Sequence, residues 1–263
     1  MGALMVKVDG VMVPVYGVAE APGPGEVYGL AAGSVGAVNA TIAGTVTTPA
    51  GLPYLYLPGT SGAYATVADT AVLDLAGSHT MLFRLRLPDW TPTAQKVLCS
   101  KWGSSGAFSY YWQLQTNGSF YFQFTNNGTA IASGTTSAPA AMPDPDVWCW
   151  LRLKYVIGTQ ALTVDTAADN GLQTAPSTWT ARGSGTTSSG ASIYNSASAY
   201  AIGSTSDGTY RNLTGDIAQH IILNSSDVSV FTLDPDNYIS GSGTSWVTDS
   251  GHTVVMGGAA EVR

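Results

Sequence analysis

Residues Ser109–Thr125 read SYYWQLQTNGSFYFQFT, two aromatic-rich runs joined at Asn117-Gly118. Asn-Gly is the preferred centre of a two-residue type I′ turn, so the segment predicts a β-hairpin. Such a turn sets Thr116 opposite Ser119 and Leu114 opposite Tyr121. One face then carries Tyr110, Trp112, Leu114, Tyr121 and Gln123. The other carries Tyr111, Gln113, Gln115, Phe120, Phe122 and Phe124. Both faces hold rings, and contiguous apolar surface is not left in water without cause. One face must pack on a second sheet. The other is covered by loops or offered to a ligand or partner.

Strand patterns recur on both sides of the hairpin. His79–Leu87 alternates, with Met81, Phe83, Leu85 and Leu87 on one face and Arg84 and Arg86 on the other. Lys96–Trp102 is a further strand. Val147–Ile157 sets Trp148, Trp150, Arg152 and Lys154 against Cys149, Leu151, Leu153 and Tyr155, and turns at residues 158–160 into Ala161–Val164. Ala199–Gly203 and Asp216–Leu223 complete the set. Residues 181–199 are low in complexity and read as a surface loop with a short strand at Ser192–Tyr194. Glu occurs only at positions 20, 26 and 261, and no long stretch has helical periodicity. These signals predict an all-β, two-sheet antiparallel sandwich or jelly roll.

Residues 1–51 differ in character. Met5–Val15 predicts a small hairpin around Asp9-Gly10, and Ala21–Gly25 is a rigid break. Ala31–Ala50 has neither an aromatic nor a charged side chain. It cannot build its own core, so it is expected to stay disordered or to order against a partner. The division expected is an N-terminal arm, 1–51, and a jelly-roll domain, 52–263.

Composition narrows the function classes. The 263 residues are 44% hydrophobic but only 10% charged, where about 25% is usual. Ten basic and 17 acidic residues give a net charge of −7, without a Lys/Arg cluster, which argues against nucleic-acid binding. The start, MGALMVKVDG, lacks a signal-peptide pattern, and no apolar run is long enough to span a membrane. Cys99 and Cys149 both lie in apolar strands. A disulfide and two buried thiols are the two readings, and the apolar setting favours the thiols.

Several blocks together resemble a known family. They are the opening LPGxxGxYAxVxDxxxLD pattern (Leu57, Pro58, Gly59, Gly62, Tyr64, Ala65, Asp69, Leu73, Asp74), the DWTP turn (Asp89–Pro92) and the SKW element (Ser100–Trp102). The Asn-Gly hairpin, the late LTGDIAQHIIL (Leu213–Leu223) and the tail Ser245–Val262 follow. The set resembles the laminin-G/concanavalin-A-like jelly-roll domains of actinobacteriophage minor tail proteins, over roughly residues 52–262. That resemblance implies a lectin-like sandwich in a virion tail tip or fibre. It also implies assembly on other virion proteins through residues 1–50, a homo-oligomer (a trimer if in a fibre) and a host cell-wall glycan as ligand. A capsid decoration protein on the same fold is the rival, and a cell-wall adhesin is a third reading.

Glycosidases need a pair of carboxylates flanking the scissile bond. No Glu lies between residues 27 and 260, and the Asp pairs 144/146, 165/169 and 234/236 mostly adjoin turn residues, so turn and capping roles are expected. The three histidines are isolated in sequence and no G-x-S-x-G elbow exists, so no enzymatic activity is expected. Sugar CH faces stack on aromatic rings while amides fix hydroxyls. The carbohydrate-binding candidates are therefore Tyr110, Trp112, Tyr121, Gln123 and Trp102, weighed against core packing or a subunit interface. No cofactor is required. If calcium binds, as the resemblance suggests, Asp69, Asp74, Asp207 and Asp216 are the candidate oxygen ligands.

Overall fold

A computed structural model describes residues 4–8, 11–15 and 53–263, except 105, 140, 172–173, 191 and 239–242. The chain divides into two compact units, Met1–Leu52 and Pro53–Arg263. In the first, β1 (Leu4–Val8) and β2 (Val11–Val15) pair antiparallel from Leu4↔Val15 to Val8↔Val11. The expectation for Ala31–Ala50 lies outside the described residues.

The second unit is all-β. Its first strands are β3 (Leu55–Pro58), β4 (Tyr64–Val67), β5 (His79–Arg86), β6 (Lys96–Trp102), β7 (Phe108–Leu114), β8 (Phe120–Thr125) and β9 (Ile131–Thr136). Then come β10 (Cys149–Val156), β11 (Ala161–Ala168), β12 (Thr180–Thr187), β13 (Tyr200–Ile202), β14 (Thr214–Leu223) and β15 (Ser229–Leu233). The last are β16 (Ser245–Val247), β17 (Thr253–Gly257) and β18 (Glu261–Val262). One layer runs β16-β17-β4-β13-β6-β7-β8-β9 and the other β12-β11-β10-β5-β14-β3-β18, with β15 beside β14. Every pairing is antiparallel. This is a jelly-roll sandwich, as the alternation of the strands predicts.

The core lies between the layers. Met81, Phe83, Leu85 and Leu87 are buried, as are Cys149, Leu151, Leu153 and Tyr155. Phe122 of β8 packs across the sandwich on His79 of β5 (5.4 Å between ring centroids) and on Tyr155 of β10 (5.0 Å). Outward-facing arginines on the second layer pair with aspartates: Arg84 with Asp169, Arg86 with Asp216, Arg152 with Asp165. Asp165 is thus an ion-pair partner rather than a turn cap, and Asp169 is both, since its Oδ1 also accepts from Gly171 N (3.3 Å). Cys99 and Cys149 are buried free thiols on opposite layers.

Two local expectations need correction. The central hairpin pairs Leu114 with Phe120 and Trp112 with Phe122, one residue away from the predicted register. Its loop has three residues, Thr116-Asn117-Gly118: Gln115 N–H donates to Ser119 O (2.8 Å), and Gly118 sits at φ +80°. A type I turn ending in a left-handed glycine also uses Asn-Gly, and adds one residue to the loop. The offset reverses every side chain of β8. Tyr110, Trp112, Leu114, Phe120, Phe122 and Phe124 all face inward and are fully buried. The type I′ register would expose the three phenylalanines. Each large apolar side chain gains roughly 1.5–3 kcal/mol on burial, so the observed register prevails.

The second correction concerns residues 181–199. Thr180–Thr187 is a full strand, β12, and Ser192–Tyr194 is not a strand. The low complexity that suggested a loop is what the strand requires. A Cβ at Gly185 would lie 2.1 Å from Thr135 O, and one at Gly134 would lie 2.3 Å from Thr186 O. Only glycine lets β12 approach β9 this closely.

Candidate functional site

The corrected register creates a second, polar face on β7 and β8. Tyr111, Gln113 and Gln115 share it with Tyr121 and Gln123. Trp102 from β6 and Tyr210 and Arg211 from the 203–213 loop border it, enclosing an open groove of about 750 Å³. Sites for small ligands run to roughly 300–1,000 Å³.

The groove is internally organised. Trp102 stacks on Phe108 (4.5 Å, 9° between planes) and meets Tyr111 edge-on at 4.9 Å. Gln123 Oε1 accepts hydrogen bonds from the hydroxyls of Tyr111 (2.8 Å) and Tyr121 (2.9 Å). Desolvation pushes the Tyr111 phenol well above its ordinary range, so it remains a donor. Gln95 Nε2 donates to Gln115 Oε1 at 2.6 Å, and Arg211 Nη1 donates to Gln113 Oε1.

The bordering loop is pinned before any ligand arrives. Ser206 Oγ accepts from Trp102 N (3.1 Å), Asn212 Nδ2 donates to Thr60 O (2.8 Å), and Arg211 O accepts from Val97 N (2.8 Å). Gly208, at φ +72°, lies where a Cβ would be 2.2 Å from the Tyr64 ring. A loop fixed this way loses little entropy on binding.

The saccharide candidates are therefore split. Tyr121, Gln123 and Trp102 line the groove. Tyr110 and Trp112 do not: both are fully buried in the core, where Tyr110 donates to Leu73 O (3.0 Å). They were grouped with Tyr121 through the displaced register. Sequence reasoning placed Tyr111 and Gln113 on the opposite face and passed over Tyr210 and Arg211. Patterning that put Phe120, Phe122 and Phe124 with Leu114 would have recovered the first two. Nothing local marks Arg211, which reaches the groove through the long-range fold.

The four aspartates proposed for calcium do not converge. Asp69 (2.7 Å) and Asp74 both hold the ammonium of Lys101, whose side chain is fully buried. Asp216 pairs with Arg86 at 2.5 Å. Asp207 accepts from Thr205 Oγ1 (2.7 Å) and Thr209 N (3.1 Å) within its own loop. Among the described residues, no three His, Cys, Asp or Glu side chains are placed to share a metal. These four residues do not fit a calcium ion, because a lysine already neutralises the one pair among them that lies close.

His220 is equally committed to the interior. Its Nε2 lies 2.6 Å from Tyr200 Oη and its Nδ1 3.0 Å from Leu82 O, with the ring stacked on Phe83 at 4.0 Å.

Comparison with known proteins agrees with the fold. No family model and no curated protein sequence matches the chain. A Bacteroides ovatus protein assigned to carbohydrate binding superposes with a TM-score of 0.51 at 10% identity, over 81% of this chain and 59% of that one. The likeness is one of fold, an all-β jelly-roll sandwich. Domains LG4-5 of the mouse laminin alpha1 chain give a TM-score of 0.47 at 12% identity, over 78% of this chain and 46% of theirs. The CBM40 of Ruminococcus gnavus IT-sialidase, bound to α2,3 sialyllactose, gives 0.42 at 11% identity, over 63% of this chain and 89% of that one. This chain thus spans about half of the laminin structure.

Proposed function

We propose that residues 53–263 form a non-catalytic saccharide-binding domain whose ligand lies in the groove over β7 and β8. The observation that carries this reading is the grouping of partly exposed aromatic rings beside amides held by hydrogen bonds. Tyr121, Tyr210 and Trp102 offer apolar surface to a sugar ring beside Gln123 and Gln113. Such a mixture of aromatic surface and few placed polar groups is what sugar recognition requires. The assignment of the Bacteroides ovatus neighbour to carbohydrate binding points the same way.

The context proposed is a bacteriophage virion, with the chain in the tail tip or a fibre as a homo-oligomer docked through residues 1–50. The support is the sequence resemblance over roughly residues 52–262. Binding of the purified chain to host envelope polysaccharide tests the first reading. Retention above background, lost in Tyr121→Ala, is expected; background retention across envelope polysaccharides overturns it. Antibody–gold labelling of intact particles tests the second. Label at the tail is expected, and label over the head reassigns the chain to capsid decoration.

A further inference from the structure

The groove holds a cation that no carboxylate neutralises. Of the six arginines, Arg84, Arg86, Arg152 and Arg263 pair with Asp169, Asp216, Asp165 and Glu261. Arg182 donates to Thr166 Oγ1 (2.6 Å) and to Ala141 O (2.9 Å), outside the groove. Arg211 has a different setting. Its guanidinium lies 4.3 Å from the Tyr210 ring centroid, donates to the neutral Gln113 amide and stands within hydrogen-bonding reach of the neutral Tyr111 hydroxyl. Among the described residues, no carboxylate lies within ion-pair distance of it. Asp207 borders the same groove, but its Oδ1 is committed to Thr205 and Thr209.

Two further observations concern the same corner. Gln113 is fully buried, its oxygen is used by Arg211, and its Nε2 has no partner. A buried donor without an acceptor costs about 1–3 kcal/mol and calls for an explanation. Arg211 also adopts a left-handed backbone, φ +53°. A residue with a Cβ pays about 1–2 kcal/mol there. Such conformations persist where the surroundings enforce them, and they cluster at ligand sites.

We infer that the saccharide recognised by this groove is acidic, with a sugar carboxylate bound by Arg211. This inference rests on the saccharide reading above. A planar carboxylate matches the donor fork of a guanidinium, and charge-assisted bonds of this kind are about twice as strong as neutral ones. The stacking surface of Tyr121 and Trp102 then holds the sugar ring. The net charge of −7 opposes an acidic ligand at long range. Screening confines that effect to roughly 8 Å at physiological salt, so the local contact decides.

The test titrates the full chain with hexagalacturonate, a hyaluronan hexasaccharide and sialyllactose, each beside its carboxyl-reduced counterpart. At least one acid is expected to bind about tenfold more tightly than its reduced form. Arg211→Gln is expected to remove that ratio. Arg211→Lys, which keeps the charge, retains part of it and guards against a folding effect. Equal affinity for acid and reduced forms overturns the inference, as does a ratio that survives Arg211→Gln. In both cases the groove reading stands if Tyr121→Ala abolishes binding. Failure of all six ligands to bind overturns the inference, and the groove reading is then decided by the envelope-polysaccharide assay.

Discussion

Lys101 Nζ lies 2.7 Å from Asp69 Oδ1, with the lysine side chain wholly excluded from water. Asp74 and Ser196 O (2.5 Å) complete its shell. A buried ammonium costs several kcal/mol unless it is paired, and removing it strands its partners. Lys101→Met therefore leaves Asp69 and Asp74 facing each other. Asp69 is 36% exposed, which softens the penalty. The expected loss is about 3 kcal/mol, read as a lowered urea midpoint. A midpoint equal to that of the native chain refutes a stabilising role for this triad.

The same ammonium occupies the space between the two carboxylates nearest to a cation site. Millimolar calcium and chelator should accordingly leave the melting temperature of the native chain unchanged. A clear rise with calcium would show that oxygen ligands gather elsewhere.

Trp112 and Tyr121 are predicted to respond in opposite ways. Trp112 is fully buried against Phe122, at 4.6 Å between ring centroids. Trp112→Ala should cost about 3–5 kcal/mol of stability. Tyr121 is half-buried at the groove and donates one hydrogen bond to Gln123. Tyr121→Ala should cost about 1 kcal/mol while abolishing saccharide binding. Paired measurements of melting temperature and ligand retention separate the two. Retained binding in Tyr121→Ala would place the ligand elsewhere.

Acid should destabilise the domain through its buried histidines. Desolvation lowers His79 to about 4 and His220 to about 3, although each donates Nδ1–H to a backbone carbonyl, Gly77 O and Leu82 O. The unfolded chain has the ordinary value near 6.5, so between the two values it binds more protons than the folded chain. Stability is complete above about pH 6.5 and is lost as pH falls toward the folded values. At pH 5 the loss is roughly 2 kcal/mol per histidine. Urea unfolding measured from neutral pH down to pH 5 checks this, and a flat profile contradicts it.

The two thiols should be inert in the folded chain. Desolvation pushes Cys99 and Cys149 up to about 12 each, and both are free. Reaction requires the thiolate and access, and neither is present. Alkylation should therefore follow the rate of unfolding at both positions. Rapid labelling in native buffer would show that one of them is open to solvent.

The sandwich was legible because its strands alternate cleanly. His79–Leu87 sends four apolar side chains inward and places Arg84 and Arg86 outward, a pattern that only a half-buried strand explains. The groove was legible only in part. Asn117-Gly118 serves a two-residue and a three-residue loop alike, and the choice decides whether Tyr121 or Phe122 faces the core. β12 was hidden because its glycines answer to the backbone of β9 across the sheet, not to neighbours in sequence. Arg211 was invisible for a related reason: Val97, Gln113 and Tyr210 define its role, and two of these lie about a hundred residues away.

The order of the strands also bears on solubility. The β9–β12 pairing joins the two layers into one continuous ribbon, whose ends are β16 and β18. These terminal strands are only three and two residues long, and the branch strand β15, which pairs only with β14, has five. A long unpaired edge is a template for another chain, and short edges blunt that hazard. Both ends come from the last nineteen residues, Ser245–Arg263, and they cover β3 and, through β17, β4. The C-terminal strands therefore shield two strand edges from pairing with another chain. A chain cut before Ser245 would bare unpaired N–H and C=O groups at Leu55–Pro58 and Tyr64–Val67, and its first failure should be aggregation rather than loss of ligand.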